Sequence, residues 1–116
     1  MNSLIEKIFA DFKVDNKSIS VSFLRYEGKD TTYITYQQIN IDGALSGDDE
    51  IIGYIDYYDI DIYSKGNYFK IVEEVKKNMK ANGFVWQPSK SSEDMYEEDT
   101  GYYHKTLCFA IERMGE

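Results

Sequence analysis

The sequence predicts an α+β domain: one mainly antiparallel or mixed sheet of about four to five strands, with two helices packed on a single face. Three observations carry this. Two segments repeat apolar residues at helical spacing, several others alternate at strand spacing, and two helices are too few to build doubly wound βα units. No segment recurs at a fixed period, so a repeat architecture is not expected. The 116 residues are expected to form one domain, 1–116, because domains of about 100–150 residues are the commonest size.

Ser3 followed by Glu6 has the spacing of a capping box, and Leu4, Ile5, Ile8, Phe9 and Phe12 fall on one stripe, which predicts a short amphipathic helix over residues 3–13. Ile19, Val21 and Phe23 then alternate with Ser20, Ser22 and Leu24. The stretch Tyr33–Ile39 has the β-branched and aromatic density of a strand, and Gly28-Lys29-Asp30 between the two predicts a hairpin. From Ile41 to Gly53, three glycines and four acids predict an acidic loop. YIDYYDIDIY, Tyr54–Tyr63, is the clearest strand, with Tyr58, Ile60 and Ile62 on one side and Tyr57, Asp59, Asp61 and Tyr63 on the other. Asn67 is placed to cap a second helix whose stripe is Tyr68, Ile71, Val72, Val75 and Met79, ending at Asn82-Gly83. Phe84-Val85-Trp86 reads as a short strand stopped by Pro88. A polar, acidic Ser89–Thr100 segment follows, and a long closing strand begins near Tyr102.

Thirteen Lys and Arg against 21 Asp and Glu leave a net charge of −8, which argues against tight binding to a phosphate backbone, where affinity comes from cations releasing counterions. The acids come in blocks: seven lie between Asp42 and Asp61 with no base among them, and five more between Glu93 and Asp99. Such blocks supply solubility; they also suit a surface past which DNA slides without sticking. The lone Cys108 excludes an internal disulfide and a cysteine-based zinc site. No apolar run approaches the roughly 18 residues of a membrane span, and MNSLIEKIFADFK lacks the pattern of a secretory signal, so a cytoplasmic protein without membrane contact is expected.

No catalytic constellation stands out, and no enzyme activity or cofactor is expected. Asp59 and Asp61 share a strand face while Asp56 points to the other, which suits a solvated strand better than a metal site. His104 and Cys108 lie four residues apart on one strand, about 13 Å, too far for a Cys-His couple. Eleven tyrosines are a separate signal, because tyrosine gives large contact area at small rotamer cost. Core positions cannot absorb them all. Tyr57, Tyr63 and one or more of Tyr96, Tyr102 and Tyr103 are left for surfaces or loops, where a partner subunit is a reason for them.

The string Asp59-Ile60-Asp61-Ile62-Tyr63-Ser64-Lys65, then Asn67-Tyr68 with its helix, Asn82-Gly83-Phe84, and Met95-Tyr96-Glu97-Glu98-Asp99-Thr100-Gly101-Tyr102-Tyr103-His104-Lys105 resembles the tail terminator (tail completion) proteins of long, non-contractile-tailed phages and prophages. Tyr33-Ile34-Thr35-Tyr36 is similar to the strand that opens their sheet. The likeness runs from about Thr32 onward. It implies a structural protein that forms a ring, usually a hexamer, on the head-proximal end of the tail tube, stops tube growth and offers a docking surface to the head. Its implied partners are further copies of itself, the tail tube protein and a head-completion or stopper protein, with DNA passing through untightly held. Its implied location is the host cytoplasm during assembly and then the virion. In such a ring, loops are expected to carry the contacts: Asp48, Asp49 and Glu50 in the first acidic block, and Tyr96, Glu97, Glu98 and Asp99 in the second. Closure between subunits is expected to use sheet edges or tyrosines such as Tyr57 and Tyr63. Two alternatives stay open at this point: an acidic inhibitor or DNA-mimic module, and a sister head-tail connector or minor tail protein.

Overall fold

A computed structural model describes residues 2–45 and 51–114, and it is α+β with a mixed sheet of six strands and two helices. In chain order the elements are α1 (Asn2–Ile8), β1 (Lys13–Val14), β2 (Lys17–Ser18), β3 (Ser20–Phe23), β4 (Thr32–Leu45), β5 (Ile51–Ser64), α2 (Phe69–Ala81), β6 (Val85–Trp86), β7 (Met95–Glu97) and β8 (Tyr102–Met114). The main sheet runs β3-β4-β5-β8-β6, with β7 also paired to β8; β1 and β2 form a separate small ribbon. The sheet therefore has one strand more than the four to five expected: β7, three residues long inside the polar, acidic Ser89–Thr100 segment, is too short to show an alternation.

The long strands place their side chains as the alternation requires. Ile34 and Tyr36 on β4, Tyr58, Ile60 and Ile62 on β5, and Leu107 and Phe109 on β8 form one continuous buried face. Ile5 from α1, Phe9 just after it, and Ile71, Val72, Val75 and Met79 from α2 join the same core, so both helices cover this one face. α2 ends as its sequence demands. Gly83 has φ +89°, its N–H bonds the Lys80 carbonyl, and the Phe84 N–H bonds the Met79 carbonyl at 3.1 Å, the paired bonds of a Schellman motif. Buried Phe84 and Met79 supply the apolar contact that accompanies it. At the other end, Asn67 Oδ1 accepts the Phe69 N–H at 2.9 Å.

Three expectations need correction. α1 stops at Ile8 rather than 13, because the chain turns at Asp11 (φ 56°) so that Phe9 and Phe12 can meet edge-on, ring centroids 5.1 Å apart, and both enter the core. Asp15-Asn16, both with positive φ, then turn the β1–β2 ribbon.

Secondly, β3 and β4 do not form a hairpin: they are parallel, with Ser20 beside Tyr33 and Phe23 beside Tyr36. β3 ends in a sharp turn at Leu24, whose φ is 66° and whose N–H bonds the Tyr36 carbonyl. The chain then runs back to re-enter the sheet where β3 began. Ser20 Oγ donates to Asp30, and the Asp30 N–H donates to Tyr26 Oη, pinning the return. A Cβ at Gly28 would stand 2.0 Å from Tyr26 Oη, so any larger residue would displace the Tyr26 ring from this place; the glycine lies in the return loop rather than at a hairpin tip.

Thirdly, Ile41–Gly53 is mostly strand. β4 and β5 pair antiparallel from Thr32 with Ser64 to Leu45 with Ile51, with irregularities at Gln38/Asn40 and Ala44/Leu45. Glycine and aspartate lower strand propensity, but pairing along a long hairpin overrides so weak a preference. Residues 46–50, with the expected contacts Asp48, Asp49 and Glu50 among them, lie outside the described residues. The second acidic block is also partly ordered into the sheet, as β7.

Candidate functional site

Neither α1 nor α2 lies on the opposite, open face of the sheet, and the residues left over by the core alternation gather there, Thr35, Cys108 and Ala110 among them buried by their neighbours. Along β4, β5 and β8 these are Tyr33, Thr35 and Gln37; Tyr57, Asp59, Asp61 and Tyr63; and Tyr102, His104, Thr106, Cys108 and Ala110. Cross-strand register brings Tyr33, Tyr63 and His104 into one row. Tyr26 stacks on Tyr33 at 4.4 Å, Tyr33 on Tyr63 at 4.8 Å and Tyr63 on His104 at 4.2 Å, so four rings cross the sheet as a single pile. Tyr102 meets Tyr33 edge-on, and Lys65 Nζ lies 5.1 Å from the centre of the Tyr102 ring.

Beside the pile runs a polar row. Asp61 accepts a hydrogen bond from Thr106 Oγ1 and lies 3.2 Å from His104 Nε2. Asp59, two residues back on the same face, stands opposite Cys108; its Oδ1 is buried and has no hydrogen-bond partner. Burial, then the neighbouring Asp61 charge, pushes the Asp59 carboxyl up to about 6, against a smaller opposing pull from the Cys108 thiol. Burial and the Asp59 charge push the Cys108 thiol up to about 11. Tyr63 is likewise pushed up to about 12, by burial first and then Asp61. Protonated Cys108 at neutral pH is a weak nucleophile, and it behaves as a packing residue.

Of the residues singled out in the sequence, Tyr57 and Tyr63 both sit on this open face. Tyr63 is held inside the ring pile. Tyr57 is half-buried under Lys90, whose Nζ lies 4.8 Å from its ring centre. Asp56 turns to the helix side and is buried, as the alternation required. Tyr96 and Glu97 lie on β7, while Glu98 and Asp99 occupy the turn that returns to β8, where the Gly101 N–H bonds the Glu97 carbonyl at 2.8 Å. All four are exposed. The structure thus separates the two tyrosine sets: Tyr57 and Tyr63 belong to the open face, and Tyr96 belongs to the sheet margin beside Tyr103, ring centroids 4.9 Å apart.

Apart from Tyr96, the exposed residues at the margins are ones that sequence reading missed. On the β3 side, Phe23 and Leu24 are exposed, Leu24 at 57%. On the opposite side of the same sheet, Val85 (62%) and Trp86 are exposed, and further along that margin so are Met95 and Tyr96. Trp86 packs under Lys76, whose Nζ sits 3.8 Å from the ring centre, and donates its indole N–H to Ser91 Oγ. Ser91 Oγ accepts the Cys108 N–H, Ser92 Oγ accepts the Thr106 N–H, and the Ser92 N–H donates to the Thr106 carbonyl, so these two residues continue along the edge of β8. No local pattern marks these residues as exposed, since apolar residues on short strands read as core. A cleft of about 590 Å³ lies away from both margins, between the β1–β2 ribbon and the start of α2. Within its lining Lys70 pairs with Asp15 at 3.1 Å.

No described group of three or more His, Cys, Asp or Glu is placed to hold a metal ion, and no described helix is long and apolar enough to cross a membrane. No protein-family model matches the chain, and a search of curated proteins finds no match.

Proposed function

We propose that this chain is a structural phage-morphogenesis protein, a tail terminator that assembles as a ring, expected to be a hexamer, on the head-proximal end of the tail tube. The observation that carries the reading is the pair of unlike exposed apolar patches on opposite margins of one sheet, Phe23 with Leu24 and Val85 with Trp86. Unlike patches on one molecule satisfy each other head to tail between copies, and such a contact repeats from copy to copy and makes a ring where the rotation between copies closes. Exposed aromatic and apolar side chains of this kind are what interfaces are made from. The resemblance of the MYEEDTGYYHK block and the preceding helix to tail terminators supplies the biological setting.

The mechanism is capping. A tube end exposes unpaired interaction surface; a ring matching it below and presenting a different surface above ends the addition of tube subunits and receives the head-completion protein. The net charge of −8 repels phosphate, so DNA crosses the ring without being held. Glu97, Glu98 and Asp99, exposed on the β7–β8 turn, are the described acidic candidates for contact with those neighbours.

Deletion and complementation test the reading. Phage lacking the chain is expected to make heads and unjoined tails of abnormal length, and supplying the chain should restore joining. Normal infectious particles in its absence would overturn it. A chain that stays monomeric and tightly binds a basic protein would favour the acidic-inhibitor alternative.

A further inference from the structure

β4 extends far beyond the strand that borders it. β3 pairs with β4 only from Tyr33 to Tyr36, whereas β4 continues to Leu45. Among the described residues, no strand lies beside Gln37–Leu45 on that side. Exposed sheet edges in natural proteins are blunted by lysines, prolines, short length or bulges, because unpaired N–H and C=O groups otherwise recruit another strand. The segment QQINIDGAL has one charge, Asp42, and neither lysine nor proline; two irregularities, at Gln38/Asn40 and Ala44/Leu45, are all that blunts it, and the run between them pairs regularly with β5. Ile39 on this edge is 44% exposed.

A second edge lies across the same three strands. β8 runs to Met114, but β6 pairs with it only at Phe109 and Ala110, so Ile111–Met114 also lacks a strand on its outer side among the described residues. β4 and β8 are each antiparallel to β5 and therefore point the same way. β3 already meets β4 in parallel. A β8 end arriving from a neighbouring copy, turned about an axis that runs along the strands, keeps that direction and continues the edge where β3 leaves off.

We infer that the Gln37–Leu45 edge of β4 is a strand-pairing site for a second copy of this chain, occupied by the Ile111–Met114 end of that copy's β8. The inference rests on the ring reading, since joining two unlike edges propagates around a ring, whereas β4 meeting β4 stops at a pair. Main-chain hydrogen bonds supply this kind of contact with little demand on side-chain identity.

Crosslinking in the presence of isolated tail tubes tests it. The full-length double variant Ile39→Cys/Glu112→Cys, treated with a short thiol-specific crosslinker, is expected to give a ladder of multiple copies, while neither single variant does. Native Cys108 is buried and serves as a common background. Dimers from Ile39→Cys alone, or products only with a different protein, would overturn the inference. Separately, Ile39→Lys places a charge on the exposed edge; it is expected to keep the wild-type melting temperature and to weaken assembly at least tenfold. Ile39→Lys rings that form and cap tubes normally would overturn the pairing site and leave the ring reading standing. Wild-type chain that never assembles on tube ends would overturn the ring reading itself.

Discussion

The two faces of the sheet are built from the same three strands yet stabilised by different physics. On the helix side, Ile34, Tyr58, Ile60, Ile62, Leu107 and Phe109 are sealed by α1 and α2. On the open side, the same strands carry stacked rings, a shared aspartate and a thiol, held by each other rather than by a covering layer. The helix face spends apolar area on stability, where burial removes roughly 25 cal/mol per Å² from water. The open face holds its groups in fixed cross-strand positions, with Cys108 buried and the tyrosine rings and His104 partly exposed.

Substitutions at neighbouring positions on β5 break or sharpen this contrast. Ile60→Ala empties a fully buried site on the helix face and is expected to cost about 3–4 kcal/mol, read by urea unfolding. Tyr63→Ala, on the open face, removes two ring stacks with partial burial and is expected to cost about 2 kcal/mol by the same measurement. A Tyr63 variant as damaging as the Ile60 variant would mean that the open face is a second core. Gly83→Ala tests how firmly α2 is anchored: an added Cβ would lie 3.9 Å from Ile111 Cδ1, so space is available and the cost is the positive φ, about 1 kcal/mol.

Asp59→Asn is expected to act in the opposite direction. The folded-state carboxyl is raised to about 6, above its unfolded value of 3.8, so its stabilising contribution is complete only below that unfolded value and is lost as pH rises to and through 6. At pH 7 the ionised group therefore weakens the fold, by about 1 kcal/mol once screening by solvent at this half-exposed site is allowed for. The asparagine variant should be more stable than wild type at pH 7, and its unfolding free energy should change less between pH 4 and 7. Equal pH profiles for the two proteins would show that the carboxyl is not strained on this face.

The contrast also explains what could be read from the sequence. α2 and the middle of β5 were legible because Ile71, Val72, Val75 and Met79, and Tyr58, Ile60 and Ile62, each repeat one period long enough to exclude the other. The assignment of Asp56 to one face and of Asp59 and Asp61 to the other followed from the same alternation. The direction of β3 was not legible: a four-residue strand beside Gly28-Lys29-Asp30 reads as half a hairpin, and the hydrogen bonds that turn it into a parallel neighbour, Leu24 to Tyr36 and Ser20 to Asp30, join residues ten or more apart. The length of β4 was hidden for a related reason, since Asp42, Gly43 and Gly53 carry turn chemistry that pairing overrides. Of the candidate site, the surplus of tyrosines signalled a surface role, but the ring pile depends on register among β4, β5 and β8, and the exposed Leu24 and Val85 depend on which strands lie at the margins. Neither is a local property of the chain.

Electron cryo-microscopy of purified tails tests most directly whether this chain works as a repeated structural unit. The account predicts a closed ring of copies, six in number if the resemblance holds, on the head-proximal end of every tube and nowhere along its length. Finished tails that carry no copy of the chain at that end, or copies distributed along the tube, would contradict it.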